Sequence, residues 1–171
     1  SSVATMDPNG LIQNTGSGQI SVIVNPAGTN TDGTVVAGIG DFNGDHMEDY
    51  VIGRSLDGTS FTGDAYIVNG MDTSNAISLS NQTAGSQTGT SVAGLGDINN
   101  DGYTDVLIGA PEANIGSGEA HLLYGGPNGF STTDINVDTL TGQGETIIKS
   151  GSDGFGSTVS SAGDFNGDGY S

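Results

Sequence analysis

The sequence predicts an all-β protein, a β-propeller or propeller-like array of four-stranded blades with about three repeats in the chain. An aspartate-rich loop of fixed pattern occurs three times, opening at Gly40-Asp41, Gly96-Asp97 and Gly163-Asp164. An apolar run follows each of the first two copies, Val51-Ile52-Gly53 and Val106-Leu107-Ile108-Gly109, and reads as a strand. A second strand-like segment also recurs three times, as Gly18–Val24, Gly63–Asn69 and Gly118–Tyr124. Loop aspartates Asp41, Asp97 and Asp164 lie 56 and 67 residues apart (97 − 41 and 164 − 97), a repeat length that accommodates several strands.

The chain divides accordingly into a partial blade over 1–33, blades over 34–88 and 89–154, and the start of a blade over 155–171. In the first segment, Ser2–Met6 reads as a strand, Asp7-Pro8-Asn9-Gly10 as a turn and Gly18–Val24 as the partner strand. Small-residue strands precede each loop: Asp32–Ile39, Thr88–Leu95 and Phe155–Ala162. The strand after each loop and the recurrent segment beyond it should form a hairpin. Ala76–Leu79 and Ile135–Leu140 alternate apolar and polar residues and supply a fourth strand for each complete unit. Four strands per unit is the blade count of a propeller. No segment carries a helical pattern.

Position by position, the middle loop sets Asp97, Asn99, Asp101 and Asp105 at one, three, five and nine, with Gly102 at six and the carbonyl of Tyr103 available at seven. The first loop repeats this with Asp41, Asn43, Asp45, Met47 and Asp49, and the third begins it with Asp164, Asn166, Asp168 and Tyr170. Alternate oxygen donors with no His or Cys suit a hard cation, and the number of protein oxygens favours Ca2+ over magnesium. An EF-hand opens the same way but needs Glu at position twelve and an exiting helix. Here position twelve is Ile52 or Ile108, and a strand follows. Ordinary Asp-Asn-Gly turns are the plain alternative, which threefold recurrence at one spacing disfavours. His46 replaces the position-six glycine in the first loop, so the first site ranks below the second.

Two basic residues against twenty acidic ones give a formal charge of -18, which argues against nucleic-acid binding and against an anionic lipid surface. No apolar run approaches the ~20 residues of a membrane span, so no direct membrane insertion is expected. The chain has no cysteine and presents no cleavable leader, which would make an exported protein visible here only in its mature portion. His46 and His121 share no context and do not form an acid–base pair; Glu48, Glu112 and Glu119 read as solvent-facing. No nucleophile elbow, phosphate loop or metalloprotease helix occurs, so no enzyme activity is expected. Asn81-Gln82-Thr83 fits a glycosylation sequon.

These residues resemble the FG-GAP repeat of integrin α-subunit propellers and related microbial extracellular proteins. Phe155-Gly156 matches the Phe-Gly position, Gly109-Ala110-Pro111 the Gly-Ala-Pro position, and the aspartate loop lies between the two within a repeat. Thr88-Gly89, Asp32-Gly33 and Gly53-Arg54-Ser55 depart from the pattern. The resemblance implies calcium loops joining the first and second strands of each blade, on the face away from the usual ligand surface. It also implies a calcium-binding extracellular or cell-surface adhesion or structural protein. The implied partners are neighbouring repeats of a longer chain or other copies of the protein, and a protein or glycan ligand. The alternative is a non-catalytic portion of a larger secreted polysaccharide-degrading enzyme. Because the two ends read as halves of one blade, head-to-tail completion between copies is expected if the repeats do not continue.

Overall fold

In the computed structural model the described residues are 5–6, 12–13, 34–56, 62–70, 72–81, 83–127, 129–130, 134–140, 142–148 and 154–167. Strands β1 (Thr5–Met6) and β2 (Ile12–Gln13) pair antiparallel. The expected Asp7–Gly10 turn and Gly18–Val24 strand fall outside the described residues.

Two antiparallel meanders follow, one for each complete loop. In the first, β3 (Thr34–Gly40), β4 (Asp49–Arg54), β5 (Asp64–Asn69) and β6 (Asp72–Ser80) pair in sequence. In the second, β7 (Ser91–Gly96), β8 (Asp105–Ala110) and β9 (Glu119–Leu123) pair in sequence. The protein is thus all-β, with two sheets of the kind expected for propeller blades. Each aspartate loop joins the first and second strands of its sheet.

The fourth strand of the second sheet is not where alternation placed it. Of Ile135–Leu140, only Ile135 and Asn136 belong to a strand, β10 (Asp134–Asn136), and this strand pairs parallel with β6 of the first sheet. Val137–Thr139 then forms one 3-10 turn, opened by Asn136 Oδ1 accepting the Asp138 N–H at 2.9 Å. Asn and Asp favour such local side-chain bonds over continuing a ladder. The outer strand on β9 is instead β11 (Gly144–Ile148), whose short apolar content gave little alternation to read.

Phe155–Ala162 is also not a strand; Phe155 makes only an isolated bridge to Gly118. A first strand takes its ladder from the strand beyond its loop, as β3 does from β4, and no such partner exists among the described residues. Between β8 and β9, Ala113–Gly116 makes a tight turn in which Asn114 and Ile115 hold left-handed φ values of 51° and 61°. A turn of that hand cannot propagate as a helix.

The sheets pack face to face. Val51, Ile67, Ile77 and Leu79 of the first sheet and Val106, Ile108 and Leu123 of the second form one buried cluster with Phe42 and Val137. Strand alternation explains the set: Val51, Ile67 and Ile77 are mutual cross-strand partners, so they share a face. Phe42, second residue of the first loop, is fully buried and packs on Phe130 at a centroid distance of 5.8 Å. The loop is therefore anchored in the core by its own apolar residue.

Backbone contacts join one repeat to the next. Thr88 N–H donates to Thr62 O at 3.0 Å, and Phe155 N–H donates to Ser117 O at 3.3 Å, one repeat later. A Cβ on Gly53 would fall on the Gly89 carbonyl oxygen, and one on Gly109 would fall on that of Gly156. The Gly of the Phe-Gly position in one repeat thus rests on the first Gly of the Gly-Ala-Pro position in the repeat before it. Only glycine permits so close a backbone approach. Gly109→Ala should cost about 1–3 kcal/mol through this clash, whereas Gly126→Ala, where the new methyl meets nothing within 4 Å, should be near neutral. Urea denaturation of the two variants beside the parent checks it; equal stabilities would show that the joint is soft.

Candidate metal loops

Each loop is curled by backbone geometry that its sequence encodes. Gly40 and Gly96, just before the first aspartates, have φ of 73° and 78°, and Gly163 has 62°. Gly40 and Gly96 also sit at bulges, where the register slips so that they oppose Asp49 and Asp105. Within the loops, positions four and six are both left-handed: Gly44 (81°) and His46 (65°) in the first, Asn100 (60°) and Gly102 (93°) in the second. His46 therefore does hold the positive φ expected to strain it.

That curl turns side-chain oxygens back on the loop. Asp41 Oδ1 and Oδ2 accept the N–H groups of Gly44 (2.6 Å) and His46 (2.9 Å). Asn43 Oδ1 accepts from Asp45 N–H at 2.9 Å, and Asp45 Oδ1 from Met47 N–H at 2.8 Å. The second loop repeats three of these bonds, Asp97 accepting from Gly102, Asn99 from Asp101 and Asp101 from Tyr103, while the other donor to Asp97 is Asp101 at position five rather than the residue at position four. The Asn43 amide also donates to Asp45, and that of Asn99 to Asp101. In the third loop Gly167 N–H donates to Asp164 Oδ1 at 2.6 Å, as Gly44 does to Asp41. Asn166 is exposed, and Asp168 and Tyr170 lie outside the described residues.

Position nine differs in kind. Asp49 and Asp105 are fully buried, and both oxygens of each are bonded. Asp49 accepts from Phe42 N–H (2.8 Å) and Gly70 N–H (2.6 Å); Asp105 accepts from Ile98 N–H and Gly125 N–H, both at 2.9 Å. One carboxylate thus fastens the start of its loop to a residue one or two positions past its third strand. Gly70 and Gly125, some twenty residues downstream, had no local signal to mark them. Burial pushes the Asp49 carboxyl up to about 6, against the pull of its two backbone N–H donors, with Asp45 and Asp41 adding to the rise. Asp105 is raised for the same leading reason, burial, again against two N–H donors and with Asp101 and Asp97 contributing.

The donor set fits a hard cation on chemical grounds, since the side chains at one, three and five are all oxygen donors. The two loops also touch. Thr104 N–H donates to the Asp41 carbonyl at 3.1 Å, Gly126 N–H to that of Phe42 at 2.9 Å, and a Cβ on Gly44 would press on the Tyr103 ring.

Other sequence readings change here. Glu119 is buried, not solvent-facing, and His121 is fully buried, because the alternation of β9 turns both, with Leu123, toward the sheet interface. Glu48 and Glu112 are exposed as expected. The sequon residue Asn81 is only 2% exposed, its Oδ1 accepting the Thr83 N–H at 2.7 Å, so its amide belongs to a structural turn.

Sequence comparisons agree with this geometry. A family model for the FG-GAP repeat matches residues 88–124. Integrin alpha-PS2 of Drosophila melanogaster is 33% identical over 142 residues, covering 77% of this chain and 9% of the relative. Integrin alpha-PS3 of the same fly is 39% identical over 82 residues (48% and 7%), and integrin alpha-6 of Gallus gallus 37% over 79 (46% and 6%). The chain belongs to the FG-GAP, integrin α-like family. It spans less than a tenth of the length of each of these relatives.

The buried position-nine carboxylate has a pH signature. A folded value near 6 against 3.8 for the free group means that the folded state holds the extra proton between those values, so this group's contribution to stability falls as pH rises from about 4 to 6. His121, lowered by burial to about 4, acts with the opposite sign, so comparison with a variant isolates Asp49. In chelator, the destabilisation caused by Asp49→Asn should be larger at pH 5 than at pH 7, the pH-dependent part being at most about 3 kcal/mol. Chemical denaturation at both pH values measures it, and a pH-independent difference would contradict the burial effect.

Proposed function

We propose that this chain is a calcium-stabilised FG-GAP repeat segment of an extracellular or cell-surface adhesion or structural protein, without enzymatic activity of its own. The observation that carries the reading is the matched pair of loops. In each, Asp, Asn and Asp at positions one, three and five accept the N–H groups of positions six, five and seven respectively, and the same two positions are left-handed. Asp41, Asn43, Asp45 and Asp49 would hold one ion, and Asp97, Asn99, Asp101 and Asp105 another, with the carbonyls of Met47 and Tyr103 completing the sets. The third loop would require Asp164, Asn166, Asp168 and Tyr170. Similarity to integrin α chains favours adhesion over the alternative of a repeat region attached to a polysaccharide-degrading enzyme. Among the described residues no helix is long and apolar enough to cross a membrane.

Calcium should stabilise by mass action, because the ligands converge only in the folded loop. The melting temperature should rise with added calcium and fall in chelator, and Asp101→Ala should remove a substantial part of that increment. Because Thr104 of the second loop holds the Asp41 carbonyl of the first, the same variant should also weaken binding at the first site in a calorimetric titration. Unchanged melting in calcium and in chelator would defeat the structural-metal reading.

The partners proposed for this segment are neighbouring FG-GAP repeats or another copy of the chain. Phe165 offers one apolar contact for either: it is 88% exposed, while Phe42 at the same loop position is fully buried in the core. If copies associate through it, the calcium-loaded chain should sediment as a concentration-dependent oligomer, and Phe165→Ser should shift it toward monomer. A parent that stays monomeric at all concentrations would defeat self-association.

A further inference from the structure

Away from both loops, one mixed donor cluster stands at the sheet interface. Glu119 and His121 lie two apart on β9, on one face, and Asp138 comes from the 3-10 turn after β10. A carboxylate oxygen of each acid and an imidazole nitrogen all lie within 4.8 Å of one another. We propose that Glu119, His121 and Asp138 form a second class of metal site, for a borderline divalent transition ion of the zinc type.

Donor chemistry separates it from the loops. An imidazole with two carboxylates suits zinc-like ions, whereas the all-oxygen loops suit calcium. His121 Nε2 stands 3.7 Å from Glu119 Oε2, beyond hydrogen-bond length. Two ligands of one tetrahedral zinc lie about 3.4 Å apart when each bond is about 2.1 Å, so a small contraction would bring both onto one ion. Burial keeps the His121 imidazole neutral at pH 7, the form that ligates. Burial, and then the nearby Asp138 charge, raises the Glu119 carboxyl, a repulsion that a shared cation would reverse. Asp138 is exposed, which gives an ion a way in, while the other two ligands are buried.

The placement has a structural consequence. Asp138 follows β10, which pairs with β6 of the first sheet, whereas Glu119 and His121 belong to the second sheet. An ion here would therefore pin the strap between the sheets to the second one.

The test uses calcium-loaded protein carrying His46→Asn, because His46 lies 3.4 Å from Asp41 and offers a competing imidazole. Zinc chloride alone should raise its melting temperature further, and cobalt(II) should give visible absorption characteristic of nitrogen and oxygen ligation. Asp138→Asn, at an exposed position, and Glu119→Gln should each weaken zinc binding at least about tenfold while leaving the calcium response intact. If the His46→Asn protein shows neither zinc stabilisation nor a cobalt spectrum, or if Asp138→Asn binds zinc as tightly as its parent, the site is refuted.

Discussion

Much of the structure depends on one buried carboxylate per repeat. Asp49 and Asp105 each take two backbone N–H donors, one from the second residue of the loop and one from a residue one or two positions past the third strand. Burying an ionised carboxylate is costly and raises both groups, and two N–H donors to each oppose that rise. Bonds to a charged acceptor are the stronger kind, and leaving the donors buried without one would cost about 1–3 kcal/mol each. The same residue that closes the loop thus sets the path by which the chain leaves β5 or β9. A cation in the loop would act through this carboxylate on strand geometry some twenty residues away.

The second constraint is contact between repeats. Gly53 with Gly89 and Gly109 with Gly156 leave no room for a side chain, so stacking is specified by backbone shape as well as by apolar area. Apolar burial then supplies most of the attraction: the cluster that includes Val51, Ile67, Leu79, Ile108 and Leu123 is shared by both sheets, so neither meander keeps its inner face without the other. This is the expected behaviour of a repeat unit that cannot bury its face alone.

The strands bordering the first two loops were legible because their signals are local: a fixed aspartate spacing, then Val51-Ile52 or Val106-Leu107-Ile108, then glycine. What escaped was set by tertiary contacts. The β11 strand is short and weakly alternating, and it is held by pairing with β9 rather than by its own pattern. Ile135–Leu140 alternated convincingly, yet Asn136 capped a turn and ended the strand. Glu119 read as a surface residue because nothing local reveals which face of a strand meets another sheet. The loop oxygens could be named from spacing, but their second role as acceptors for Gly70 and Gly125 could not.

Spacing also suggested that the first loop is the poorer one, since His46 stands where the second has Gly102. The backbone shows that each loop holds two left-handed positions and gives one of them to glycine: Gly44 with His46 in the first, Asn100 with Gly102 in the second. Histidine and asparagine both enter that region more readily than most residues, so the strain in the loops differs by less than one glycine substitution implies. The larger asymmetry is in packing. The first loop is anchored by fully buried Phe42, while the second has the less buried Ile98 at the same position. The first loop also receives two main-chain donors, from Thr104 and Gly126. Its backbone is therefore held from outside, and a preorganised loop would lose less entropy on binding an ion. These effects oppose the His46 penalty, so one side chain does not by itself rank the two folded loops, which are joined through the main-chain contact between them.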